Sequence, residues 1–93
     1  MNKNTLGIIG GGQLGMFICI AAKKIGLKTI IYSNNEDFSA RNYCDKFFIG
    51  SFFDQNKIKD FLNSADYFTI ETENIPKNFL RIIEQKKKII SIQ

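Results

Sequence analysis

The sequence predicts an α/β domain: an open parallel sheet of about five strands with helices on both faces. Three observations carry this prediction. Short apolar runs with strand character, Thr5 to Ile9, Lys28 to Tyr32, Lys46 to Ile49, Tyr67 to Ile70 and Lys88 to Ile92, alternate with segments of helical periodicity. That alternation implies parallel pairing through right-handed crossovers. The first run ends in Gly10-Gly11-Gly12-Gln13-Leu14-Gly15, a Gly-x-Gly-x-x-Gly spacing between a strand and a helix.

In that turn one glycine permits a tight bend, one lets a ligand approach the backbone, and one lets helix and strand pack closely. Amide groups at the helix start then face whatever anion or polar group sits there. The first helix runs from Gln13 to about Ile25, where Gly26 stops it. Leu14, Phe17, Ile18, Ala21, Ala22 and Ile25 recur on one face and are expected to be its core side. Met16, Cys19 and Ile20 make it apolar nearly all round, so a second covering layer is expected.

The second strand, Lys28 to Tyr32, leads into a loop from Ser33 to Ser39. A dinucleotide fold would carry an acidic residue there, about 20 residues beyond the glycines, to hold a ribose hydroxyl. Ser33-Asn34-Asn35 stands in its place, and Glu36 and Asp37 come later in the loop. A nicotinamide-binding half-domain of an oxidoreductase is therefore an alternative reading. The third strand ends at Gly50, and Asp54 is the expected N-cap of a second helix, Gln55 to Ser64, with Ile58, Phe61 and Leu62 facing inward.

The fourth strand ends in Glu71-Thr72-Glu73-Asn74 before Ile75-Pro76. Ligands on open α/β sheets bind beyond the carboxyl ends of strands, so this cluster is a candidate site. Pro76 suits the first turn of a third helix, with Phe79, Leu80, Ile82 and Ile83 as its apolar stripe. Strand order 3-2-1-4-5, by analogy with a Rossmann half, sets the glycine turn and the acids of the fourth strand side by side.

Composition narrows the function. The 93 residues include 44% hydrophobic residues, nine Phe and one Pro, which describes one small globular domain. The net charge of +4 is mostly lysine, and Lys86-Lys87-Lys88 falls at an expected helix end without interleaved aromatics, so no nucleic-acid partner is expected. Cys19 and Cys44 lie far apart and the chain has no His, so no zinc site or other metal site is expected. Free thiols, with no membrane span and no signal peptide, lead us to expect a cytoplasmic chain.

Ile8-Ile9-Gly10-Gly11-Gly12-Gln13-Leu14-Gly15, then Ala21-Ala22-Lys23 and Gly26, then Ser39-Ala40, Asp45 and Asp54, then Glu71-Thr72-Glu73-Asn74-Ile75-Pro76 give the chain a further likeness. It is similar over nearly its whole length to the N-terminal, pre-ATP-grasp domain of 5-(carboxyamino)imidazole ribonucleotide synthase, the ATPase subunit of phosphoribosylaminoimidazole carboxylase. The resemblance implies a Rossmann-like fold and a purine-biosynthetic ligase. That ligase uses ATP, magnesium and bicarbonate to carboxylate aminoimidazole ribonucleotide.

It further implies that ATP and magnesium bind on ATP-grasp domains outside this chain, and that this domain lends part of the ribonucleotide site. Gly10, Gly11, Gly12, Gln13 and Leu14 are the implied backbone contacts, and Glu71 and Glu73 the implied carboxylates. Glu71 is favoured, although the pleat alone does not choose between them. No catalytic residue is expected in this chain, and the 93 residues alone are expected to be inactive. Family members commonly form homodimers, and an oligomerising interaction domain is a third reading. Met16 and Thr72 depart from the family pattern, which often has Arg and an aromatic residue at these positions.

Overall fold

The computed structural model describes residues 4–10, 12–35, 38–70, 77, 81, 88 and 89. Strands β1 (Thr5–Ile9), β2 (Lys28–Ser33), β3 (Lys46–Ile49), β4 (Tyr67–Ile70) and β5 (Lys88–Ile89) form one sheet, with helices α1 (Gln13–Lys24) and α2 (Gln55–Asn63) in the crossovers. The order is β3-β2-β1-β4-β5, the order expected by analogy with a Rossmann half. All four pairings are parallel: Ile9 lies opposite Tyr32 and Ile70, Tyr32 opposite Phe48, and Phe68 opposite Ile89. Of the expected third helix, Lys77 and Arg81 are helical; its other residues, and the last strand past Ile89, lie outside the described residues.

Strand alternation sends side chains to two cores. On the α2 side Ile9, Ile30, Tyr32 and Phe68 meet Ile58, Phe61 and Leu62, the inward triplet expected of α2. On the α1 side Leu6, Ile8 and Ile31 meet Cys19 and Ala40. Two aspartates fix register at the strand entries. Asp45 accepts from the Thr29 amide at 2.8 Å and Asp66 from the Thr5 amide at 3.1 Å, while their own amides donate to the carbonyls of the same two threonines.

Helix α1 differs from the sequence reading in its buried face. Gly15, Cys19 and Ala22 face the sheet, whereas Leu14, Phe17 and Ile25 are 45%, 54% and 75% exposed. Small residues win that face because the helix lies close: a Cβ on Gly15 would stand 3.3 Å from the Gly10 carbonyl and 3.9 Å from the Ala40 Cβ. The large apolar residues therefore turn outward, consistent with a covering layer beyond this helix. Gly26 ends α1 at φ +82°, its amide bonding Lys23 and the Leu27 amide bonding Ala22, a Schellman cap. Asp54 caps α2 through the Lys57 amide at 3.1 Å.

Gly7 sits under the aromatic core. A Cβ there would lie 2.6 Å from the Phe68 ring and 3.0 Å from Phe61. Both rings are fully buried and have little room to move. Gly7→Ala is therefore expected to cost about 1–3 kcal/mol through overpacking, read as a lower urea midpoint. An unchanged midpoint would show that the rings can yield.

Candidate functional site

The carboxyl edge of the sheet gathers the strand exits. At the end of β1, Gly10 takes φ +105°, a conformation open to glycine, and its buried amide donates to the Tyr32 carbonyl at 2.8 Å. Gly12 is the extended N-cap of α1, and the first intrahelical bond runs from the Met16 amide to the Gly12 carbonyl at 3.1 Å. The amides of Gln13, Leu14 and Gly15 thus precede the helical ladder. Gly12, as the N-cap, has no side chain to cap this end, and the first turn holds no acid. Gln13 and Leu14 are exposed, and amides at a helix start suit a polar or anionic group.

Two of the glycine roles read from sequence appear as geometry: Gly10 makes the tight turn and Gly15 the close packing. Gly11 lies outside the described residues, as do Glu71 and Glu73. Register nevertheless fixes where the segment carrying them begins. Ile9 is opposite Ile70, so the described ends of β1 and β4 lie side by side at the carboxyl edge. Thr69, which the sequence reading passed over, is fully buried one residue before the end of β4.

At the end of β2, where a dinucleotide fold would present a carboxylate, Ser33 closes a local turn. Its hydroxyl donates to the Asn35 carbonyl at 2.9 Å and accepts from the Asn35 amide at 3.1 Å. After β3, Lys57 Nζ donates to the Ile49 carbonyl at 2.6 Å and the Tyr32 hydroxyl to the Ser51 carbonyl at 2.6 Å. Gly50 leaves room for both, since its Cβ would fall 2.7 Å from Lys57 Cδ. Sequence alone gave Gly50 only a stop role. Among the described residues no group of three or more His, Cys, Asp or Glu side chains gathers.

The family model of the ribonucleotide synthetase preATP-grasp domain matches residues 3–92. The chain belongs to that family. Among relatives of this preATP-grasp domain, an N5-carboxyaminoimidazole ribonucleotide synthase of Staphylococcus epidermidis is 36% identical over 81 residues, 87% of this chain and 22% of that protein. A phosphoribosylaminoimidazole carboxylase of Ogataea methanolica is 37% identical over 82 residues, 86% of this chain and 15% of that protein. The crystal structure of the Staphylococcus aureus N5-carboxyaminoimidazole synthetase complexed with ADP superposes with a TM-score of 0.86 at 32% identity, over 96% of this chain and 25% of that one. The preATP-grasp domain thus spans a quarter or less of the length of these proteins.

Titration of the core bears on stability rather than on this edge. Burial, then the nearby Cys19 sulfur, pushes the Cys44 thiol from 9.0 up to about 11, and burial also raises Cys19. Burial, with a smaller contribution from Asp54, pushes Tyr32 from 10.0 up to about 12. All three bind their protons more tightly when folded, so their contribution to stability is complete below about pH 9. It is lost as pH rises through about 11 to 12. The expected result is a urea midpoint that falls steeply above pH 9; a flat alkaline profile would contradict it.

Proposed function

We propose that this chain is the part of an ATP-dependent ligase that holds aminoimidazole ribonucleotide while it is carboxylated in purine biosynthesis. The observation that carries the reading is the pairing of β1 with β4 at Ile9 and Ile70, which sets the glycine turn before α1 beside the end of β4 that leads to Glu71. Amides there suit a phosphate, a ring nitrogen or a sugar oxygen as acceptors, and a carboxylate suits ribose hydroxyls or the exocyclic amine as donors. Gly10, Gly11, Gly12, Gln13 and Leu14 are assigned the backbone contacts, Glu71 the principal carboxylate, and Glu73 a supporting place.

The chain's own work is to bind and orient. It aims the ribonucleotide amine at carboxyphosphate made from ATP and bicarbonate elsewhere, and shields it from water. ATP and magnesium are assigned to the ATP-grasp domains, which with a second copy are the candidates to cover the outward Leu14, Phe17 and Ile25. A cytoplasmic setting follows from the pathway; among the described residues no helix is long and apolar enough to cross a membrane.

Thermal melting with ligand tests the reading, because binding to the folded state alone raises the midpoint. Aminoimidazole ribonucleotide is expected to raise it in a saturating manner and NADH to leave it unchanged. The reverse pattern would replace the ligase reading by a nicotinamide one.

A further inference from the structure

No further inference is drawn: the strongest candidate, the apolar groove along helix α1 lined by Leu6, Phe17, Ile18, Ala21, Ile25 and Leu27, is an unpartnered face, and nothing in the structure shows what covers it.

Discussion

Phe61→Ala is expected to be among the most destabilising single changes in this chain. Phe61 is fully buried on α2, and its ring meets Tyr32 at 5.5 Å, Phe48 at 6.0 Å and Phe68 at 5.3 Å, each in an edge-on arrangement. It also closes over Gly7, so one side chain ties α2 to β1, β2, β3 and β4. Truncating a buried Phe costs about 3–5 kcal/mol. A domain of this size has about 5–14 kcal/mol in total, at roughly 0.05–0.15 kcal/mol per residue. Circular dichroism in urea should show the midpoint of Phe61→Ala displaced far toward zero urea, with Phe61→Leu losing less. An Ala variant that loses less than about 1 kcal/mol would mean that the aromatic cluster is not the centre of this core.

The second large effect concerns the ligand. In a ligase assembled from this domain and its ATP-grasp domains, Glu71→Ala is expected to raise the KM for aminoimidazole ribonucleotide about 10- to 100-fold. That range is what a hydrogen bond to a charged group, about 1.5–3 kcal/mol, represents in affinity. The KM for ATP should stay within about twofold, because the nucleotide is assigned to other domains. Glu73→Ala should have a smaller effect. An unchanged dependence of rate on ribonucleotide concentration would remove Glu71 from the site.

Much of this architecture was legible because local signals agreed. Short apolar runs, the Asp54 cap and Gly26 each have one physical reading, and elements form where they indicate. Strand order came from analogy with a Rossmann half, and only the parallel pairing followed from the alternation of elements. The orientation of α1 was not legible. A helix apolar nearly all round offers competing faces, and its buried one was decided by how closely Gly15 lets it approach Gly10 and Ala40. The turn at Ser39–Asn42, where Ala40 sits, reads in sequence as part of a polar loop.

Gly7 was equally opaque. A glycine within an apolar run looks like a weakness until Phe61 and Phe68, more than fifty residues later, are seen to fill the space above it. Of the site, the glycine turn could be read because its spacing carries a mechanism. The room that Gly50 leaves for Lys57 and Tyr32 could not, because it is a property of the folded surroundings and leaves no mark in composition or period.

The central claim is that the ligand sits at the junction of the β1 and β4 exits. A backbone amide map of the chain during titration with aminoimidazole ribonucleotide tests it most directly. The account predicts saturable shifts concentrated at Gly10, Gly12, Gln13 and Leu14 and at the end of β4, with the opposite edge of the sheet, near Thr5, Lys28 and Asp66, unmoved. Shifts confined to that opposite edge, or none at all, would contradict it.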